Sequence, residues 1–426
     1  MSTSSLSIVQ TSLWVIELIL LVYTLFVLLV MIPLVQKHVL YAHKINSLSW
    51  TDLNKPESWG FARGQVTPFG FKTPDGETIY AWHIMPLPLY LQHEHRVSAQ
   101  ATGFIEDFST TESFQLLKND PETKLVLYFH GNAGHLAETF RPSNYHTLTD
   151  TSSYHVIAID YRGFGHSTGE PSEDGLITDA EALVEWVVNK AGIAPGRIVL
   201  LGQSLGTAVV SGVAEKYVLK EVEFAGLVLV SGFSDLATML SGYKFGGVLP
   251  ALGPYAAWPP VKYFLDKYLV DKWHSANRVA NIVRHTKTRL RLNLVHAKDD
   301  GDIPWTEDNK LFKAAVKDTV GISDDEEFDA WKERHTLRKG DDAFVTTWKH
   351  EPNIIIRQEL FPFGSHNSIL GFAPVLLAIM RSFDLAGTGY EDHVHEDIYE
   401  DEESVHEDQA HEDQGHNDRK MKNVEQ

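Results

Sequence analysis

Between about residue 65 and residue 385 the chain alternates short apolar runs with longer stretches of helical spacing. Six runs are nearly unbroken and rich in Val, Leu and Ile: KLVLYFHG (124–131), YHVIAIDY (154–161), RIVLLGQS (197–204), FAGLVLVSG (224–232), RLNLVHA (291–297) and NIIIRQELF (353–361). A strand without polar alternation is buried on both faces, as in a parallel sheet covered by helices. Amphipathic stretches such as DAEALVEWVVNKAG (179–192) and TAVVSGVAEKYVL (207–219) lie between the runs. Right-handed crossovers then predict an α/β architecture, a mostly parallel doubly wound sheet with helices on both faces. Ahead of it, FKTPDGETIYAWHIMP turns at Pro74-Asp75-Gly76, the chemistry of a hairpin.

The N-terminal pattern is different. From Leu13 to Val35 only Glu17 is charged at neutral pH, and 23 helical residues would reach ~34 Å, enough for a hydrocarbon core of ~30 Å. A signal peptide would have a shorter apolar region, a positive charge before it and a small-residue cleavage site. The pattern therefore divides the chain into a short tail (1–12), a transmembrane helix (13–35), a linker (36–64), the α/β domain (65–385) and a last segment (386–426). Lys37, Lys44 and Lys55 follow the span and no Lys or Arg precedes it, which by the positive-inside tendency points the domain to the cytoplasm. Insertions are expected near 86–123, 233–275 and 305–350. The first and third are polar and expected at the periphery. The second, which includes KFGGVLPALGPYAAWPPVKYFLDKYLV, is apolar and aromatic, suiting either a buried connection or a lid or acyl groove.

Charge sharpens this division. The 426 residues carry a formal net charge of −20, but residues 391–426 alone account for −11, leaving a mildly acidic body. A nucleic-acid partner, which requires a basic face, is not expected. The last segment repeats His-Glu-Asp at His395, His406 and His411 and reads as a solvated, disordered acidic tail rather than a metal site. There is no cysteine, so no disulfide scaffold, thiolate metal site or cysteine nucleophile is open to this chain.

Chemistry in such sheets gathers at the C-terminal ends of strands. The run RIVLL leads through Gly202-Gln203-Ser204-Leu205-Gly206 directly into a helical stretch. Strand, sharp turn and helix are the context in which G-x-S-x-G lifts a serine above the sheet, making Ser204 the candidate nucleophile. Gly165-His166-Ser167-Thr168-Gly169 matches the same letters, but no apolar strand immediately precedes it and Pro171 follows, so it reads as a loop. A serine needs a base and an orienting acid. His366 is the late histidine of the body placed after a strand run, and Asp299, Asp300 and Asp302 follow the run ending at Ala297. The strand KLVLYF ends in His130-Gly131-Asn132-Ala133-Gly134, a small-residue loop. There the Asn132 N–H, with that of Leu205, could receive an oxyanion. His130, Gly131, Gly202 and Gly206 support these turns. No G-x-x-x-x-G-K-[ST] loop occurs, and no cofactor or metal is expected.

The set HGNAG, AIDYRGFGHSTGEPSEDG, GQSLG, HAKDDGDIP and GSHNS resembles the α/β-hydrolase-domain serine hydrolases. More narrowly, it resembles their single-pass, membrane-anchored branch, which includes lysophosphatidylserine and monoacylglycerol lipases. The similarity covers about residues 65–385 plus the anchor. It implies the α/β-hydrolase fold, and its H-x-x-x-D-x-x-[VI]-P spacing selects Asp300 as the acid. It further implies a lipid ester substrate, a bilayer partner and residence at the endoplasmic reticulum with the catalytic domain on the luminal side. That side is opposite to the one the lysines indicate, and no N-x-[ST] acceptor occurs to decide between them. A protein acyl-thioesterase would use the same chemistry, and a non-catalytic scaffold on the fold is a third reading that intact catalytic motifs disfavour.

Overall fold

The computed structural model describes residues 3–45, 51–245, 249–250, 259–340 and 342–384. The acidic tail expected over 386–426 lies outside the described residues, as do 246–248 and 251–258 of the apolar insertion. Ten strands form one sheet: β1 Val66–Lys72, β2 Thr78–Ile84, β3 Lys124–Phe129, β4 Tyr154–Asp160, β5 Ile198–Gln203, β6 Gly226–Val230, β7 Leu290–Ala297, β8 Thr336–Arg338, β9 Phe344–His350 and β10 Ile354–Phe361. Their spatial order is β1-β2-β4-β3-β5-β6-β7-β10-β9-β8. The block β4-β3-β5-β6-β7-β10 is parallel throughout, and all six of its strands coincide with the six apolar runs. The edges are antiparallel: β1 and β2 form the hairpin around Pro74-Asp75-Gly76, and β9 and β8 extend the sheet beyond β10.

Alternate residues of the parallel strands feed two cores. Leu125, Leu127, Phe129, Leu200 and Leu229 face one side, packed with α6 (Glu173–Trp186), α7 (Leu205–Val218), α10 (Ser275–His285) and α11 (Thr306–Val320). Val126, Tyr128, Val199, Leu201 and Val228 face the other, packed with α5 (Arg141–Asp150) and α14 (Ala373–Phe383). Burial on both faces is why these strands carry no polar alternation. The chain passes from β3 to β4 on one side and then crosses back to β5 on the other. This reversal opens a crevice at the strands' C-terminal ends.

The N-terminal segment differs from the single span expected over 13–35. Helix α1 (Thr3–Val30) ends before Ile32, which is extended (φ −73°, ψ 124°), and α2 restarts at Pro33 and runs to Tyr41. Proline lacks the N–H that would continue the ladder and pushes the preceding residue out of the helical region. Among the described residues, no helix is long and apolar enough to cross a membrane. Leu13, Trp14, Ile16, Leu18, Leu25 and Phe26 of α1 are nonetheless exposed.

The stretch read as a linker buries Tyr41, Leu53 and Phe61. Residues 86–123 hold α3 (Leu87–Ser98) and α4 (Glu112–Asn119). The stretch 305–350, expected at the periphery, supplies α11, α12 (Asp325–Arg334), β8 and β9. Leu311, Phe312, Ala315 and Val316 share one face of α11 and are buried, which its many charged residues conceal in the composition.

Candidate active site

Ser204 stands between β5 and α7 with φ 54° and ψ −120°, a conformation that costs a non-glycine residue ~1–3 kcal/mol. The flanking glycines make the turn possible. A Cβ on Gly202 would lie 2.4 Å from Gly206 O, and one on Gly206 would lie 1.9 Å from Phe129 O. Helix α7 therefore starts against the end of β3, bringing Leu205 beside the loop that follows β3. Ser204 N–H donates to Val230 O (3.0 Å) and Thr207 Oγ1 to Ser204 O (2.6 Å), holding the elbow from both sides.

His366 follows β10 in a short helix, α13 (Ser365–Ser368). Its Nδ1 lies 2.8 Å from Asp300 Oδ2. The other oxygen of Asp300 accepts from the N–H groups of Asp302 (3.0 Å) and Ile303 (2.9 Å). Burial alone would raise the Asp300 carboxyl, but hydrogen bonds from His296 and His366 hold it well below the usual carboxylate range. Its neighbours have other tasks. Asp299 accepts from Ser365 N–H (2.7 Å), while Asp302 lines the cavity and is pushed up by burial. Ser204 and His366 share that cavity wall, and no hydrogen bond joins them among the described residues; such bonds are often long before substrate binds. Gln203 Nε2 ties elbow to histidine loop, donating to His366 O (3.1 Å) and Asn367 Oδ1 (3.2 Å).

The loop His130–Gly134 owes its shape to Arg141, which the sequence did not single out. Its Nη1 donates to the carbonyls of Ala133 (3.1 Å) and His135, and Nη2 to those of Gly131 (3.2 Å) and Asn132 (3.0 Å). In a trans peptide C=O and N–H point oppositely. Drawing the Gly131 carbonyl toward the guanidinium thus turns the Asn132 N–H away from it. His130 is fully buried, donates from Nδ1 to Gly131 O (2.6 Å), and is held by burial well below the ordinary histidine value. The next two amides bond outward to the end of α2 and the turn after it: Ala133 N–H to Tyr41 O and Gly134 N–H to Ile45 O, each at 2.9 Å.

Ser204, Asn132 and His366 open on a cavity of about 710 Å³. Phe233, Tyr243 and, from α8 (Leu236–Gly242), Leu236, Met239 and Leu240, all of the apolar insertion, form one wall. Phe26, Val39, Leu40 and Ile45, from the N-terminal segment, form another. Gln36 fixes that second wall, donating to Tyr268 O (2.9 Å) and accepting from Val270 N–H (3.1 Å) after α9 (Pro259–Tyr268). The second serine pentad has a different use. Ser167 Oγ donates to Asp160 O (2.5 Å) and accepts from Tyr80 N–H (2.9 Å), bracing a loop.

A family model described as the alpha/beta hydrolase fold matches residues 124–309. This chain has the α/β-hydrolase fold. The matched part runs from β3 into α11 and contains the elbow, the small-residue loop and Asp300. Similarity to curated proteins extends further. "Lysophosphatidylserine lipase ABHD12" of Xenopus tropicalis is 27% identical over 284 residues, covering 67% of this chain and 66% of that protein. The Rattus norvegicus protein of the same name is also 27% identical over 284 residues, with 67% and 64% covered. "Protein ABHD12B" of Homo sapiens is 28% identical over 260 residues, with 61% and 60% covered. The chain thus spans slightly less than two thirds of the length of these relatives, and it is similar to them beyond its motifs. Among solved structures, an alpha-beta hydrolase from Vibrio vulnificus superposes with a TM-score of 0.45 at 15% identity, covering 67% of this chain and 81% of that one.

Proposed function

We propose that this hydrolase cleaves carboxylic esters of single-chain lipids, lysophospholipids or monoacylglycerols, through an acyl-enzyme on Ser204. The observation that carries the proposal is the cavity: a strained serine and a carboxylate-bonded histidine open on one apolar space of about 710 Å³, large enough for an acyl chain. In this reading Ser204 Oγ attacks the ester carbonyl and His366 takes its proton. The Asn132 and Leu205 N–H groups receive the oxyanion, each such donor being worth ~2.7–4 kcal/mol in enzymes where one has been removed. His366 returns the proton to the departing glycerol oxygen, and Asp300 stays ionised throughout to orient the ring. Water then repeats the sequence on the acyl-enzyme. The names of the relatives favour a lysophosphatidylserine-type substrate.

The exposed apolar side chains of α1 support a bilayer as the source of substrate. The apolar run and the family resemblance support attachment to the endoplasmic reticulum membrane, by the part of that run that α1 (Thr3–Val30) carries rather than by one helix over 13–35. The test is comparative lipidomics of cells expressing the wild type or Ser204→Ala. Lysophospholipids or monoacylglycerols should fall with the wild type alone. Unchanged lysolipids and acylglycerols together with a loss of acylated proteins would contradict the lipid reading in favour of a thioesterase.

A further inference from the structure

Asp300 has a second imidazole partner that the relay described above does not use. His296, near the end of β7, places Nε2 3.1 Å from Asp300 Oδ2, the same oxygen that faces His366. That nitrogen is also 3.1 Å from Ile303 O. On the other side of the ring, Nδ1 lies 3.2 Å from Oδ1 of Asp308, in the first turn of α11. The side chains of His296, Asp300 and Asp308 are 1%, 0% and 0% exposed.

The polar atoms nearest the ring nitrogens are oxygens: Asp300 Oδ2 and Ile303 O at Nε2, and Asp308 Oδ1 at Nδ1. Between two ionised carboxylates a neutral imidazole would press the lone pair of one nitrogen against an anion, so with Asp300 and Asp308 ionised the contacts favour a proton on each nitrogen, against burial that pushes the Asp308 carboxyl up. Burial opposes charge on His296, but Asp308 and Asp300 outweigh it and lift the ring to about 10. The remaining titratable groups nearby are Asp302, His366 and Lys332 of α12, and Tyr243 lies near Asp302 and Asp300. The Lys332 ammonium bonds to Asn309 and lies over the Phe312 ring. Two other carboxylates of these segments are engaged elsewhere, Glu307 with Ser234 and Lys310, and Asp299 with Ser365 N–H. A buried carboxylate–imidazolium–carboxylate row is a poor stabilising device, because apolar side chains of the same volume often serve stability as well or better. Its position behind Asp300 gives it a different use.

We infer that His296, held by Asp308, is a positioning residue of the relay: a permanent imidazolium that keeps Asp300 ionised and aimed at His366, and sets the acid limit of the enzyme's working pH range. The inference rests on the assignment of Ser204, His366 and Asp300 proposed above. The sign follows from the charges. The row Asp300, His296, Asp308 carries a net single negative charge. Replacing His296 with a neutral side chain makes it more negative, so protonation of His366 is favoured and persists to higher pH. Replacing Asp308 with a neutral one removes negative charge, or lets His296 lose its proton with no net change.

The test is the pH dependence of fluorophosphonate labelling of Ser204 in the full chain, for the wild type, His296→Gln and Asp308→Asn. The acid limb of His296→Gln should move up by about one pH unit, slowing labelling roughly tenfold below the limb while the alkaline plateau stays near that of the wild type. The limb of Asp308→Asn should stay or move down. A His296→Gln limb that coincides with the wild type, or an Asp308→Asn limb that moves up, overturns the inference and leaves the triad assignment standing. Absence of Ser204 labelling in the wild type brings down the triad assignment and the inference with it. Should either variant fail to fold, histidine-¹⁵N spectra of the wild type decide: two protonated ring nitrogens on His296, unchanged between about pH 6 and about pH 8, are expected, and a neutral ring contradicts the inference.

Discussion

Arg141 gathers four loop carbonyls on one buried guanidinium, and so fixes the direction of an amide that it does not touch. A lysine keeps the charge but has no planar fork with which to hold four acceptors. Arg141→Lys is therefore expected to lower kcat for ester hydrolysis by about ten- to a hundredfold, part of what losing an oxyanion donor costs, with KM little changed. A KM effect without a kcat effect, measured by steady-state kinetics on a soluble ester, would contradict this role for the loop. Arg141 and His296 mark where sequence reading stops at the residue scale. Ser204 and His366 stand out because each follows an apolar run, and Asp300 because its spacing to Ile303-Pro304 fits a family motif. His296 lies in that same motif, but its meaning comes from Asp308, on a helix the spacing does not reveal. Nothing local distinguishes Arg141, whose carbonyl partners lie six to ten residues away around a folded loop.

At the scale of elements, the elbow depends on how closely α7 approaches β3. The methyl group of Gly206→Ala would overlap a backbone carbonyl, which no side-chain rotation relieves. This substitution is expected to cost about 3 kcal/mol or more of stability and to abolish Ser204 labelling. Gly196→Ala, with nothing within 4 Å of the added carbon, should change stability by less than about 1 kcal/mol. Thermal denaturation of the two variants checks the contrast, and equal losses would contradict it. The parallel block was legible because burial on both faces leaves each strand a continuous apolar run. Edge strands β8 and β9 were not: Thr336–Arg338 is short and half-polar, and β9 ends in exposed Lys349 and His350. The break at Pro33 could have been anticipated from proline's missing donor, but a window of uniform hydropathy passes over it.

At the scale of the molecule, the N-terminal segment emerges as part of the site. Its α2 and following turn accept the loop's amides, and its apolar side chains line the cavity, although the sequence divides them between an anchor and a linker. Composition cannot show this, because a residue that walls a cavity and one that faces lipid are equally apolar. Over half of the net charge lies in residues 391–426, outside the described residues, so the rest of the chain is only mildly acidic. What unites cavity, loop and relay is the claim that Ser204 is a nucleophile. The direct measurement is to label the full-length protein with a fluorophosphonate probe and locate the adduct by peptide mass spectrometry, beside Ser204→Ala and Ser167→Ala. The adduct is expected on Ser204, lost in Ser204→Ala and kept in Ser167→Ala. An unlabelled wild type, or a Ser204→Ala protein labelled as strongly as the wild type, would contradict it.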